Sequence, residues 1–407
     1  FFKQKTAYEI VDCDWSSDVC SSDLSPRRSY CQAAGLHPGE VTPVPFGATP
    51  RGFARCFTLE NAAGLRAVLT NYGAALVGLV APDRRGRPGD VVLGFDAAED
   101  YAGHPFFFGA TIGRFANRIA GGRFTLDGAV HQLTLNDGPS YARGQLHGGA
   151  QGFHTRLWQA EPVAGADGRA LRFRRRSPAG EEGFPGNLEV AVTYSLAAEA
   201  NDLRLDYEAT TDRPTPINLT HHSYFNLRGT GDVLGHALQI RAESFLPVGP
   251  ALLPAGAPAQ VAGTAFDFTT PRVIGERLGA DDPQLRLAGG YDHNFALTSG
   301  GGSLASAALL HEPESGRTLE VFTTEPGLQF YSGNFLDGSW PGKGGRHHGR
   351  HAGLCLEPQH FPDTPNRPEF PPAILRPGEV FRSTTIYRLG DRKSTRLNSS
   401  HSQQSRM

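Results

Sequence analysis

Methionine is nearly absent: the 407 residues hold one, Met407, at the very end. A sequence without an initiator is expected to have its true start outside the stretch in hand. Long apolar runs are missing as well. Nothing approaches the roughly 18 consecutive apolar residues of a spanning helix, so no membrane partner is expected and the protein should be soluble. Charge of one sign is also lacking, since 39 Lys and Arg nearly balance 41 Asp and Glu. That leaves no field to draw in nucleic acid, and a small, weakly charged ligand fits better. Helical periodicity is hard to find and no internal repeat exists. Cysteine is sparse at five, and Cys31, Cys56 and Cys355 are scattered at spacings of neither a disulfide framework nor a metal site. Reduced, inert thiols are the expectation.

What the chain has in quantity is glycine (50) and proline (30), about a fifth of all residues. Both disfavour long helices and favour short strands joined by turns. Leu65, Ala67 and Leu69, then Leu76, Gly78 and Val80, recur at period two around Asn71-Tyr72-Gly73, as a hairpin would. Leu188, Val190, Val192, Tyr194 and Leu196 alternate likewise, followed after an acidic turn by Leu203, Leu205 and Tyr207. Further strands are expected over Leu171–Arg175, His236–Ala242, Leu319–Thr323, Leu328–Tyr331 and Val380–Tyr387. The fold class is therefore all-β, a large β-sandwich of twisted, mostly antiparallel sheets forming one domain over residues 46–390. The ends read differently. Phe1 to about Leu24 (with Cys13 and Cys20) and the Ser-rich stretch from Arg392 resemble translated sequencing-adapter DNA. Residues 1–39 and 391–407 are expected to be non-native or disordered.

Several glycine-bounded stretches are too polar for core. Gly113-Arg114-Phe115-Ala116-Asn117-Arg118 sets an amide beside a guanidinium, both good donors to sugar hydroxyls, although a surface arginine is the plainer reading. His147 precedes Gly148-Gly149, where missing side chains would let a ligand near the backbone; a solvated turn histidine is the alternative. In Asn218-Leu219-Thr220-His221-His222-Ser223-Tyr224-Phe225 two adjacent histidines in a strand must point to opposite faces, so one should face the ligand. No third ligand at suitable spacing accompanies them, which argues against zinc. Tyr291-Asp292-His293 offers a carboxylate for two vicinal hydroxyls, if it is not simply a turn aspartate. The segment from Pro326 to Asn334 adds Gln329 and aromatic faces suited to a pyranose. Glu357 follows an apolar run that would otherwise be a buried strand, and a buried carboxylate without a task is costly.

In order, GRFANRI, LHGG, NLTHHSYFNL, YDHNF, PGLQFYSGNFLDG and LCLEPQHFPDTPN resemble the motifs of the aldose 1-epimerase (galactose mutarotase) family over residues 46–390. The resemblance implies a β-sandwich with an open sugar cleft, in which His222 is the general acid and Glu357 the general base. Asn117, Arg118, His147, Ser223, Tyr224, Asp292 and Gln329 match positions that hold the sugar. His221 departs from the family, where Asn is common before the acid; register favours His222. The implied isomerase opens and recloses the hemiacetal of free galactose or glucose. It needs no metal or other cofactor, has an aldose as its partner, works as a monomer or homodimer, and is placed in the cytoplasm. The rivals are a glycoside hydrolase using Asp292 and Glu357, a non-catalytic sugar-binding sandwich, and a hexose 6-phosphate epimerase. The last would need a basic cluster over the cleft, whereas Arg172, Arg174, Arg175 and Arg176 are expected to lie on a solvated strand face.

Overall fold

The computed structural model describes residues 41–164 and 169–391, almost wholly as strands and turns. Apart from Asp391, the expectations for residues 1–39 and 391–407 fall outside the described residues, as does the one for Cys31. Among the described residues three larger sheets stand, of nine, six and five strands, and every strand ladder is antiparallel, as expected. The two α-helices among the described residues are short, Ala98–Gly103 and Pro283–Ala288. Among the described residues no helix is long and apolar enough to cross a membrane.

The nine-stranded sheet is built on the hairpin that the sequence showed best. Leu188–Leu196 pairs with Asp202–Thr211, placing Leu196 opposite Leu203 and Tyr194 opposite Leu205. Leu188, Val190, Val192, Tyr194, Leu203, Leu205 and Tyr207 all enter the main core. Each such side chain contributes about 1.5–3 kcal/mol by leaving water, so a charge at Val192 would be ruinous. Four more of the foreseen strands join this sheet as Arg169–Ser177, Ala237–Ile240, Arg317–Thr323 and Phe381–Asp391, and the fifth, Gly327–Tyr331, forms in the six-stranded sheet.

The first hairpin, Arg66–Thr70 with Ala75–Pro82, corrects the period-two pattern. Its register shifts between Val68 and Leu69, and the extra residue of such a bulge changes which side chains face inward. The core therefore takes Leu76, Leu79 and Ala81 rather than Gly78 and Val80. On the strand Arg169–Ser177 the arginine run behaves as expected in part. Arg172, Arg174 and Arg176 face outward and pair across strands with Glu208, Glu161 and Glu189, but Arg175 turns inward onto Glu181 and the Phe153 ring. The thiol expectation holds for Cys355, which is free and buried. It fails for Cys56, which is disulfide-bonded.

The six-stranded sheet carries the polar interior. Its central strands, Asp292–Leu297, Gly327–Tyr331 and Leu354–Gln359, are buried on both faces almost throughout. Phe295, Leu328, Phe330, Leu354 and Leu356 fill the main core on one face. The alternate residues, Asp292, Gln329, Tyr331 and Glu357, line a cavity on the other.

Candidate active site

The cavity holds about 390 Å³, within the range of small-molecule sites. Its floor is the polar face just described, in which Gln329 lies opposite Glu357 and diagonal to Asp292. Glu357 is 2% exposed. Burial, and then the neighbouring Asp292 carboxylate, raise its pKa well above the ordinary range, while Arg118 pulls it back. Asp292 is raised by burial too, opposed by Arg118 and by the amide of Gln329. That amide donates to Asp292 Oδ1 at 2.7 Å.

His222 comes from a break between two very short strands, Thr220–His221 and Tyr224–Phe225. Its Nε2 stands 3.9 Å from Glu357 Oε2, although 135 residues separate the two in sequence. Burial lowers its pKa to about 4. His221 takes the opposite side, near the Tyr194 and Tyr387 rings, so the ambiguity between the two histidines resolves in favour of His222 at the cavity. Ser223 goes with His221, its hydroxyl 3.0 Å from that imidazole's Nδ1. It does not line the cavity, contrary to expectation, because successive residues of an extended chain face opposite ways. Tyr224, two residues from His222, does line it and stacks on the His222 ring.

The wall comes from two glycine-rich loops tied together. His147 N–H donates to Asn117 O at 2.9 Å, and Asn117 N–H donates back to His147 Nδ1 at 3.2 Å. Both residues have left-handed backbones, φ 59° and 52°. The glycines after His147 serve chain packing rather than ligand approach: a Cβ on Gly148 would stand 2.0 Å from Gly113 O. Arg118 reaches into the cavity with its Nε on Asp137 Oδ2 at 2.7 Å. Arg114, four residues earlier, is structural. It is 2% exposed, and both terminal nitrogens are spent on Ser177, Pro178, Pro185, Gly186 and Thr215.

His147, His222 and Glu357 offer ligand atoms within 4.8 Å of one another, the spacing of a potential metal set. The donor pattern fits hydrogen bonding better. With Nδ1 accepting from Asn117, the neutral His147 ring carries its proton on Nε2, and a protonated nitrogen has no lone pair for a metal. His147 thus presents a neutral N–H donor.

Residues 55–388 match the family model described as aldose 1-epimerase. The chain belongs to that family. It is 44% identical to the galactose mutarotase of Bos taurus over 86% of this chain and 98% of that protein. To the aldose 1-epimerase of Escherichia coli it is 42% identical, over 82% and 94%. A crystal structure of galactose 1-epimerase from Lactobacillus acidophilus superposes with a TM-score of 0.76 at 32% identity, covering 86% of this chain and 99% of that one.

Within this member of the family, eight of the nine expected site residues line one cavity: Asn117, Arg118, His147, His222, Tyr224, Asp292, Gln329 and Glu357. Sequence reasoning missed Phe107, Asp137 and Phe335, which also line it, and included Tyr331 only among the aromatic faces of Pro326–Asn334 without naming it as a site residue. Tyr331 was within reach, since it alternates with Gln329 on the same strand. Phe107 sits in a loop and gave no periodic signal.

Proposed function

We propose that the chain interconverts the α and β anomers of a free aldohexose such as galactose or glucose, with Glu357 as general base and His222 as general acid. The observation that carries this reading is the placement of one carboxylate and one imidazole, both buried, 3.9 Å apart in a sugar-sized cavity. Glu357 takes the proton of the anomeric hydroxyl. The O–H electrons become the C1=O1 double bond, the C1–O5 pair moves to the ring oxygen, and that oxygen takes a proton from His222. Rotation about C1–C2 presents the other carbonyl face, and the same steps reversed close the ring.

The pair needs one mobile proton and no net exchange with water. Burial favours the neutral arrangement, with the proton on Glu357 and none on the imidazole. This is the arrangement reached after ring opening, so the open-chain intermediate meets the pair in its favoured state. Arg118 eases the charged arrangement, because its guanidinium favours ionised Glu357. Asp292, Gln329, Arg118, Asn117 and the Nε2–H of His147 are the groups placed to hold the hydroxyls and ring oxygen.

The test is polarimetry on freshly dissolved α-galactose. Each proton transfer is worth about 10²–10⁴-fold, so Glu357→Gln and His222→Ala should each lose at least about a hundredfold in kcat. Equilibration by Glu357→Gln at the parent rate would remove the carboxylate from the role of base.

A further inference from the structure

The His222 imidazole is held between two aromatic faces. Phe107 stacks on it with ring centroids 5.6 Å apart and planes 27° from parallel, and Tyr224 stacks at 5.1 Å and 23°. The Phe107 ring is itself gripped edge-on by His147 at 4.9 Å and by His154 at 4.7 Å. Its backbone has φ 56°, a left-handed conformation that a bulky side chain rarely adopts and that marks a position over-determined by its surroundings. The reason is visible in the loop. His222 N–H donates to Ala110 O and Gly109 N–H donates to His222 O, both at 2.9 Å. Gly109 in turn lies so close to the strand Ala75–Pro82 that a Cβ there would stand 2.0 Å from Leu76 O. The same few residues thus fix the His222 backbone and lay a phenyl ring over its side chain.

We propose that Phe107 is a positioning residue for proton transfer: with Tyr224 it clamps the His222 imidazole, aims its Nε2 edge, and stabilises the imidazolium through which the reaction passes. The inference rests on the reading of His222 as acid. A cation over an aromatic face is stabilised by the ring quadrupole, more so where water is excluded. Other groups facing the imidazole act alongside. Glu357 Oε2 lies 3.9 Å from Nε2, and Cys355 Sγ lies 3.5 Å from Nδ1. His147 meets it edge-on at 5.1 Å, His221 is its chain neighbour, His154 stands behind Phe107, and Arg118, Asp292 and Tyr331 share the cavity. Glu357 favours the imidazolium and Arg118 opposes it; the two ring faces add a stabilisation independent of both.

Phe107→Leu and Phe107→Tyr separate this role from filling space. Polarimetric kinetics from about pH 5 to about pH 8 should show Phe107→Leu losing roughly 3- to 30-fold in kcat with KM changed less than about twofold. Phe107→Tyr should restore most of the loss. An NMR titration of the His222 imidazole should move to lower pH in Phe107→Leu, by about half to one unit. Parent kcat in Phe107→Leu, equal losses in both variants, or an imidazole that titrates higher would overturn the proposal, the last because the ring would then be acting only by excluding water. If Phe107→Leu does not fold, Tyr224→Leu against Tyr224→Phe makes the same comparison from the other face. Glu357→Gln runs in parallel. Full turnover there would sink the acid/base reading itself, whereas a dead Glu357→Gln beside a normal Phe107→Leu would sink only the role of Phe107.

Discussion

Gln329 spends one amide hydrogen on Asp292 Oδ1 and pins that carboxylate on the cavity floor. The remaining Asp292 oxygen is left for vicinal hydroxyls. Hydrogen bonds to a charged group are worth about 1.5–3 kcal/mol. Asp292→Asn is therefore expected to raise KM for galactose by roughly 10- to 100-fold with a smaller change in kcat. Steady-state polarimetry over a range of galactose concentrations checks this, and an unchanged KM would take Asp292 out of substrate binding.

Acid should undo the fold well before it titrates ordinary carboxylates. Burial lowers His104, His154, His221 and His293 to about 3, and His222, His236 and His348 to about 4, from 6.5. Between those values the unfolded chain binds protons that the folded chain refuses. Stability therefore rises with pH through this window and is lost as pH falls from 6.5 toward 4. Glu357 and Asp292, raised by burial, act in the opposite direction, and His360, raised by its pairing with Glu325, joins them. Asp363 is raised by burial as well, while His147 and His351 are lowered by it, so four such groups stand against nine lowered imidazoles. Thermal denaturation should show Tm falling steeply on acidification across that window; a flat Tm would contradict the buried neutral imidazoles.

How much of this was legible depends on whether a residue lay in a regular strand. Period two fixed the inward set from Leu188 to Tyr207, and the unexplained cost of a carboxylate after Leu354-Cys355-Leu356 pointed to Glu357. The same alternation, carried one step further, sends Ser223 to the side of His221 and away from the cavity; matching the motif as a block obscured it. The bulge at Val68/Leu69 left no mark in the side-chain pattern, because an inserted residue shows only against its partner strand. Phe107 was illegible for a different reason. Its place over His222 comes from a left-handed loop and two backbone hydrogen bonds to a residue 115 positions away, none of which is encoded in local spacing.

Arg114 and Arg118 stand one helical-turn length apart in sequence yet serve different ends. Arg114→Lys keeps the charge but supplies three donors where the guanidinium uses its terminal nitrogens on five residues. The stranded carbonyls should cost about 2–4 kcal/mol, read as a lower urea midpoint with kcat of the folded enzyme little changed. Arg118→Lys should do the reverse, leaving the midpoint nearly in place while raising KM and weakening the charged form of Glu357.

A preference for unphosphorylated sugars is expected from where the cations are. The outward arginines of Arg169–Ser177 are matched by Glu208, Glu161 and Glu189, and none of them lines the sugar cavity. There, Arg118 is the one Lys or Arg among the described lining residues, set against Asp137, Asp292 and Glu357. A phosphate dianion entering this cavity would meet carboxylates that one guanidinium, already bound to Asp137, cannot offset. The kcat/KM for galactose should therefore exceed that for galactose 6-phosphate by more than about tenfold, since like-charge juxtaposition costs several kcal/mol. The gap should narrow as salt is added, because screening weakens repulsion between charges that solvent reaches. Equal kcat/KM for the two sugars at low ionic strength would show that a cationic subsite serves this cavity and would reverse the assignment of substrate class.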